Sequence, residues 1–245
     1  MSAIYLEEGG RLRLPADYVA RHGLEPGTPL VFEPREDGFA LHFARPDARR
    51  AYIEITTRCN LNCAMCVRHV WRDAPGEMDW ETFDLIIAQL REFPHLTRLT
   101  FGGYGEPLVH PRFVDMVQRA SDLGVGITLT TNGLLLNEEV AQALLNTRVD
   151  TVVVSLDTVH IQAYEGVRVE GGVERVLENV HALKTLAQRR EYPLPRIGLE
   201  FVAMKSNLDM LDRLPKIAAE LEASFVLITN LLPHTLELTD EVLYD

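Results

Sequence analysis

Six apolar runs of strand length alternate with segments of helical periodicity from residue 51 onward, and this alternation restricts the fold more than any other feature of the 245-residue chain. The predicted strands are residues 51–57, 97–102, 126–131, 150–156, 196–203 and 224–229. The intervening segments repeat apolar residues three and four positions apart, which is typical of helices with one buried face. Repeated βα units favour a parallel sheet covered by helices, so we expect an α/β domain over residues 46–245. It is predicted to be a partial or closed barrel, with an open doubly wound sheet as the alternative.

Capping residues and a proline mark where several of the predicted helices begin and end. Asp79 is the predicted N-cap of the first helix after the first strand. Gly124 is the predicted end of the next helix. Pro215 is expected either to start a fresh helical turn or to kink an existing helix.

The first 45 residues have the signals of a separate, small β-rich domain. Gly9-Gly10 separates two short strand-like runs, and Asp37-Gly38 separates two more, a pattern typical of antiparallel hairpins. Between the two pairs, Pro15 is suited to open a short helix that Gly23 can close. The sequence therefore predicts a domain at residues 1–45 ahead of the core domain.

All three cysteines of the chain, Cys59, Cys63 and Cys66, lie within eight positions directly after the first predicted strand of the core. Cysteine thiolates are the ligands of iron–sulfur clusters, and three of them leave one iron of a four-iron cluster without a protein ligand. Two other interpretations stay open at this point. With His69 the cysteines can form a structural zinc site, or all three can be inert buried side chains. Their clustering favours metal binding over inert packing.

The C-x3-C-x2-C spacing resembles that of the radical S-adenosylmethionine (radical SAM) family, with Met65 where that family usually has an aromatic residue. The resemblance implies a [4Fe–4S] cluster on the three cysteines, with the amino and carboxylate groups of SAM on the open iron. It also implies a partial (βα)6 TIM-like barrel. The implied reaction is one-electron reduction of the cluster and then of SAM, giving methionine and a 5'-deoxyadenosyl radical that removes a substrate hydrogen. No catalytic side chain beyond the cluster and SAM is predicted.

The loops that follow the predicted strands carry mostly small and polar residues. Because the carboxyl ends of parallel strands meet at one rim, we expect these loops to surround the cysteines. Taken alone, the glycine loop is equally compatible with an ordinary turn. For Asn132-Gly133 and for Ser155 with Asp157, a turn or helix cap is the favoured interpretation when each is taken alone. The resemblance implies that SAM is contacted from these loops by Gly102, Gly103, Tyr104, Gly105, Glu106, Thr131, Asn132, Ser155, Asp157 and Asn207.

Within that set, Gly-Gly-Tyr-Gly-Glu at 102–106 looks like a longer variant of the family's GGE segment. The glycines are expected to let the backbone approach a ligand closely and take positive φ angles. The resemblance implies that Glu106 and the neighbouring backbone hold the amino group of SAM, and that Thr131, Ser155 and Asp157 face its carboxylate and ribose. Arg168 is a further candidate for contact with substrate or SAM.

The N-terminal domain resembles the AbrB/SpoVT/MazE swapped-hairpin domains, on the sequence Gly-Arg-Leu-Arg-Leu-Pro followed by Gly23-Leu24-Glu25-Pro26-Gly27. Those domains are often DNA-binding dimers. This one has five arginines and seven acidic residues, whereas a DNA-binding surface should be basic. We therefore favour protein recognition or homodimer formation over DNA binding.

An AbrB-like domain joined to a radical SAM core resembles the radical SAM maturases associated with tungsten-cofactor oxidoreductases. The implied task is modification of the tungsten cofactor or of its host enzyme. A peptide-modifying radical SAM enzyme is one alternative, and a zinc-stapled AbrB-like DNA-binding regulator is another from a different class. Such maturases commonly carry further cysteines for auxiliary clusters, and this chain has none after Cys66, so we expect a shortened form or a form without auxiliary clusters.

The charge of the chain limits the kinds of partner that it is expected to bind. The net charge of −12 disfavours nucleic acid and anionic membranes as partners. The first ten residues lack a secretion signal, and three clustered cysteines are unlike a disulfide framework, so a cytoplasmic location is expected. Around the cysteines the local charge is basic, which is either a solvated fringe or a docking patch for a ferredoxin or flavodoxin electron donor. The arginines concerned are Arg45, Arg49, Arg50, Arg58, Arg68 and Arg72.

Overall fold

The computed structural model describes residues 5–28, 30–36, 38–43, 48–156 and 172–244. The chain divides into two compact units, Met1–Asp47 and Ala48–Asp245. Four residues singled out in the sequence, Asp37, Arg45, Asp157 and Arg168, lie outside the described residues. None of the described helices is long and apolar enough to cross a membrane.

The N-terminal unit contains two antiparallel strand pairs and one short helix. Its elements are β1 (Tyr5–Glu7), β2 (Arg11–Arg13), α1 (Ala16–Arg21), β3 (Leu30–Arg35) and β4 (Gly38–Phe43). β1 pairs with β2 around a turn in which Gly9 and Gly10 take φ angles of +81° and +73°, and β3 pairs with β4. The two predicted hairpins and the helix after Pro15 are therefore confirmed as local structure.

This unit buries very little of its own apolar surface. Within its described side chains, residues 7–28, 30–36 and 38–41, none is buried. Phe32 and Phe39 stack on each other with ring centroids 5.2 Å apart, yet they stay 60% and 50% exposed. Since burial of apolar surface is the main favourable term in folding, these residues contribute little stability to the unit alone.

The second unit is built on a six-stranded parallel sheet. The strands are β5 (Arg50–Ile53), β6 (Arg98–Phe101), β7 (Gly126–Thr131), β8 (Thr151–Ser155), β9 (Arg196–Ala203) and β10 (Phe225–Asn230). Each strand lies beside its neighbour in sequence, in the order β10-β9-β8-β7-β6-β5. A doubly wound sheet would reverse direction partway through its strand order, so the unbroken order supports the partial barrel.

The strand predictions hold closely except at β5, which ends at Ile53 rather than at residue 57. Beyond Ile53 the backbone pairs with another segment: Met78 N donates to Ile55 O at 2.8 Å, and Thr57 N donates to Gly76 O at 3.0 Å. The chain therefore leaves the sheet before the cysteines and is held by a short antiparallel bridge at Thr56 and Glu77.

A helix follows each strand, and the first five of these six helices pack on the outer face of the sheet. They are α2 (Trp80–Leu90), α3 (Phe113–Ser121), α4 (Glu138–Asn146), α5 (Gly172–Arg189), α6 (Leu214–Glu220) and α7 (Leu236–Thr239). The predicted N-cap is confirmed, because Asp79 Oδ1 accepts a hydrogen bond from Thr82 N at 2.7 Å. Pro215 begins a new helix, as one of its two predicted roles required. Helix α4 was missed, although its N-cap, Asn137, is a recognisable start signal and accepts from Val140 N at 3.0 Å.

Alternate residues along each strand face opposite sides of the sheet. One set packs under the helices into a continuous core that includes Leu99, Phe101, Leu129, Val152, Val154 and Leu199. The other set faces a cavity on the inner side of the sheet and includes Tyr52, Thr130, Ser155, Glu200 and Val202. The apolar core thus fixes the strand positions from outside, and the inner side chains are left for binding.

Candidate active site

A cavity of about 490 Å³ opens where the carboxyl ends of the strands meet. Its wall contains all three cysteines, the glycine loop, and the segments that follow β7 and β10. The lining includes Cys59, Cys63, Cys66, Arg68, Gly103, Tyr104, Gly105, Glu106, Thr131, Asn132, Ser155, Leu231, Leu232 and His234. Strand polarity therefore brings together residues that lie far apart in the sequence.

The three cysteines lie on the loop after β5, each partly buried and outside any disulfide bond. Backbone and side-chain donors point at two of the sulfurs: Leu61 N lies 3.4 Å from Cys59 Sγ, and Arg68 Nε lies 3.2 Å from Cys66 Sγ. Burial raises the pKa of the Cys59 thiol, and the hydrogen bond from Leu61 and the charge of Arg68 oppose that rise. A set of three thiolates with N–H donors to sulfur fits an iron–sulfur cluster.

His69, the fourth ligand of the zinc alternative, lies beside a carbonyl group. Its Nε2 is 2.9 Å from the backbone oxygen of Cys63. Throughout the described ranges, no three cysteine, histidine, aspartate or glutamate side chains lie close enough together to hold one metal ion. In this structure His69 therefore contacts the backbone of the cysteine loop.

The glycine loop after β6 packs tightly against β5 and the cysteine loop. Glu54 Oε1 accepts hydrogen bonds from Tyr104 N at 2.5 Å and from Gly105 N at 3.1 Å. A Cβ on Gly103 would overlap the Glu54 carboxylate, and a Cβ on Gly105 would overlap the backbone oxygen of Thr56. Close approach to protein backbone and to Glu54 thus accounts for these two glycines, and their close approach to a ligand stays a prediction.

The backbone angles of Gly102, Gly103 and Gly105 correct the expectation that all three take positive φ. Only Gly103, with φ of +139°, is in the region that favours glycine, whereas Gly102 and Gly105 are not. At Gly102 a Cβ would meet the Tyr52 hydroxyl, which is the outer end of a side chain that is 63% exposed. Packing against backbone therefore explains Gly105 alone.

Glu106 is a buried carboxylate, 3% exposed, with hydrogen bonds to both oxygens. Thr131 Oγ1 donates to Oε1 at 2.7 Å, Leu108 N donates to Oε1 at 3.0 Å, and Asn132 N donates to Oε2 at 2.7 Å. Burial raises the pKa of Glu106, and these hydrogen bonds oppose the rise. Glu106 thereby ties the glycine loop to the loop after β7, and its implied contact with the amino group of SAM stays a prediction.

Asn132 extends this network to the cysteines. Its Nδ2 donates to Asn60 Oδ1 at 2.8 Å and lies 3.9 Å from Cys59 Sγ, while its Oδ1 accepts from Leu134 N at 3.1 Å. Three loops are therefore joined by one set of hydrogen bonds that runs from Glu106 through Asn132 to Asn60.

The remaining predicted site residues have different positions. Tyr104 and Ser155 line the cavity, and Tyr104 packs edge-on against Trp71 at 5.5 Å between ring centroids. Asn207 is not part of the described cavity wall. It closes the turn after β9, because its Oδ1 accepts from Met204 N at 2.7 Å and its Nδ2 donates to Val202 O at 2.9 Å.

Three inner-face residues were missed in the sequence: Tyr52, Glu54 and Glu200. Burial raises the pKa of Glu200, and burial followed by the charges of Glu200 and Glu54 raises the pKa of the Tyr52 hydroxyl. A signal was present, since Glu54 and Glu200 are single carboxylates inside otherwise apolar strand runs. A charged residue in a predicted buried strand is costly unless it faces a polar cavity.

Comparison with known proteins agrees with this fold and site. The sequence pattern of the Radical SAM superfamily matches residues 53–190, and the chain belongs to that superfamily. Its members are enzymes that use a [4Fe–4S] cluster and SAM. The resemblance predicted from the cysteine spacing is thus confirmed, and the cluster rather than zinc is the family's metal group.

Two curated relatives are similar to about three quarters of this chain. The chain is 38% identical over 199 residues to the tungsten-containing aldehyde ferredoxin oxidoreductase cofactor-modifying protein of Pyrococcus furiosus, covering 79% of this chain and 54% of that protein. It is 30% identical over 180 residues to the mycofactocin maturase MftC of Mycobacterium tuberculosis, covering 74% of this chain and 44% of the relative. The chain spans about half the length of these curated relatives.

Solved structures share the fold. Streptococcus suis SuiB bound to the precursor peptide SuiA superimposes with a TM-score of 0.64 at 18% identity, over 80% of this chain and 42% of that one. The predicted partial α/β barrel is confirmed. The resemblance of the N-terminal unit to AbrB-like domains stays a prediction.

Proposed function

We propose that this chain cleaves SAM reductively at a [4Fe–4S] cluster held by Cys59, Cys63 and Cys66, and that it serves the maturation of a tungsten-cofactor oxidoreductase or its cofactor. The observation that carries the proposal is the shared cavity, in which the three cysteines meet the glycine loop and the segment after β7. Bound there, the cluster and SAM would supply one-electron cleavage of a carbon–sulfur bond of the sulfonium.

The chain's own residues hold and enclose these groups. Glu54 holds the glycine loop by accepting from Tyr104 N and Gly105 N, and Glu106 ties the end of that loop to Asn132 N. The loop therefore needs little rearrangement to receive a ligand. Tyr104 and Ser155 offer hydroxyl groups on the cavity wall, and Leu231 and Leu232 supply apolar surface there. A mixed wall of this kind orients a polar ligand and limits access of water to a reactive intermediate.

Metal content tests the cluster assignment. Protein purified without oxygen and reconstituted should contain about four irons and four sulfides per chain, because three thiolates anchor a four-iron cluster. Replacement of any one of the three cysteines by alanine should lower that content, whereas His69→Ala should not. Stoichiometric zinc that depends on His69 would overturn the assignment.

The substrate is proposed from the 38% identical relative, whose name describes it as cofactor-modifying. The reconstituted chain would be incubated with SAM, reductant and either a tungsten-containing oxidoreductase or its pyranopterin cofactor. A SAM-dependent mass change in the enzyme or the cofactor supports the proposal. A mass change in a peptide substrate, with the oxidoreductase and the pyranopterin cofactor both unaltered, would favour the peptide-modifying alternative.

The electron donor is proposed to be a ferredoxin or flavodoxin that docks on exposed arginines beside the cysteine loop. The basic patch needs one correction, because Arg68 lines the cavity and bonds to Cys66 rather than forming part of an outer fringe. Arg58 is paired with Glu77 at 3.4 Å, and Arg72 is exposed. We expect Arg72→Glu to slow cluster reduction by the protein donor at low salt, and an unchanged rate would contradict this docking site.

The N-terminal unit is proposed to pair with a second copy of itself. Support comes from its described side chains, none of which is buried, and from the exposed stack of Phe32 and Phe39. Its acidic balance disfavours DNA as the partner of that surface.

A further inference from the structure

Arg68 contacts the cysteine loop at two points. Its Nε donates to Cys66 Sγ at 3.2 Å, and its Nη2 donates to the backbone oxygen of Leu61 at 2.6 Å. Leu61 is buried and lies between Cys59 and Cys63, so one guanidinium connects the two ends of the cysteine loop. Its planar fork of N–H groups makes both contacts possible at once.

The surroundings of Arg68 distinguish it from its neighbours. Among the described residues that line the cavity, it is the only arginine or lysine. The same wall contains three cysteines and the buried carboxylate of Glu106. Arg72, four positions further on, is exposed and is not part of the described lining. Arg68 is thus the charge best placed to act on whatever the cysteines hold.

We propose that Arg68 is a positioning residue that tunes the cluster: it orients Cys66 and raises the reduction potential of the bound iron–sulfur group. This inference rests on the proposed function. Reduction adds one negative charge to the cluster, and a nearby positive charge with an N–H donor on a ligand sulfur stabilises the more negative state. The effect is strengthened because Arg68 is partly buried, where electrostatic interactions are screened less than at the surface.

Three substitutions separate the charge from the hydrogen bond. Arg68→Lys keeps the charge, Arg68→Gln keeps an N–H donor without charge, and Arg68→Met removes both. Arg72→Gln is the matched control, because it removes the same charge from the same loop region outside the cavity. Each protein would be reconstituted without oxygen, its iron and sulfide counted, and its midpoint potential measured by a redox titration followed by electron paramagnetic resonance.

We expect the midpoint potential to become more negative in the order Lys, Gln, Met, with the Arg72→Gln control unchanged from the parent protein. The g-values of the reduced cluster should change in Arg68→Met, because a ligand sulfur loses its donor. If Arg68→Met fails to retain iron, the Lys and Gln variants decide the outcome. Equal potentials in all retained variants, or iron loss with no change in potential, would overturn the proposal in favour of a purely structural role.

Different results would overturn the proposed function and the tuning role of Arg68. A parent protein that binds no four-iron cluster would overturn the proposed function. A parent protein with a full cluster whose potential ignores Arg68 would overturn only the tuning role.

Discussion

Single carboxylates connect the loops of this site. Glu54 holds the glycine loop against β5, and Glu106 holds the same loop against Thr131 and Asn132. The sequence motif singled out Glu106 as a predicted ligand for SAM. A motif cannot show which neighbouring groups donate hydrogen bonds to that carboxylate. The hydrogen bonds of Glu106 could not be predicted, since they depend on contacts between loops 25 and 26 residues apart.

Glu106→Gln tests this connecting role. An amide has only one acceptor oxygen, so at least one of the N–H or O–H donors that now reach Glu106 would lose its partner. A buried unsatisfied donor costs about 1–3 kcal/mol, and we expect a loss of that order in the free energy of unfolding, measured in urea. Glu178→Gln, on an exposed helix face, is the control and should be near neutral. Equal stabilities for the two variants would contradict the connecting role.

Glu200 gives a prediction for the pH dependence of stability. Burial raises its pKa in the folded chain above the unfolded value, so the ionised side chain disfavours folding. Its penalty is absent below the unfolded pKa and develops as pH rises through the folded pKa. Glu200→Gln should therefore raise the melting temperature at neutral pH, and that gain should shrink as the pH is lowered into the ordinary range for glutamate.

The control for Glu200 is Glu178→Gln, whose side chain is exposed and whose effect should not depend on pH in this way. A gain for Glu200→Gln that is the same at every pH would contradict the assignment. A carboxylate that lowers stability on a cavity wall is typical of a residue kept for binding.

At the level of elements, the sequence predicted β7 and β9 to the residue and predicted the N-cap of α2. These succeed because apolar runs and capping side chains are local signals. The end of β5 and the position of Asn207 were not predicted, since both depend on backbone partners brought in by folding: Gly76 and Met78 in one case, Val202 and Met204 in the other. The same holds for the glycine loop, whose partner Glu54 lies 50 and 51 residues away in sequence, directly after β5.

Gly105→Ala tests the packing of the glycine loop. The added Cβ would overlap the backbone oxygen of Thr56, which cannot move without displacing the bridge that carries the chain into the cysteines. We expect a lower melting temperature and at least several-fold weaker SAM binding by the reconstituted protein, measured by equilibrium dialysis. Gly76→Ala is the control, because a Cβ there meets open space. Unchanged SAM binding in Gly105→Ala would show that the loop adapts.

The exposed β3–β4 hairpin of the N-terminal unit leads to a prediction about association between copies of the chain. A charge in place of Phe32 should weaken association between copies, because it puts an ionised group into an apolar contact. We expect Phe32→Asp in the full chain to shift sedimentation toward the monomer, while Leu85→Asp, at an exposed position on α2, leaves it unchanged. A parent protein that is monomeric at high concentration would rule out the proposed pairing.

For the whole molecule, the parallel order of six strands explains why the site is where it is. A one-directional sheet brings all its carboxyl ends to one rim, and the three cysteines follow the first of those ends. The fold class and the position of the three cysteines in the cavity were therefore accessible from sequence, whereas Arg68 and Glu200 were not assigned to the cavity. Their roles depend on which face of a loop or strand is turned inward.

Cleavage of SAM under strong reductant tests the central claim most directly. The reconstituted chain with dithionite and SAM should form 5'-deoxyadenosine, and Cys63→Ala, treated identically, should form at least tenfold less. The account predicts this because only an iron with no protein ligand leaves a place for SAM. Intact SAM after prolonged incubation with a fully loaded, reduced cluster would contradict it.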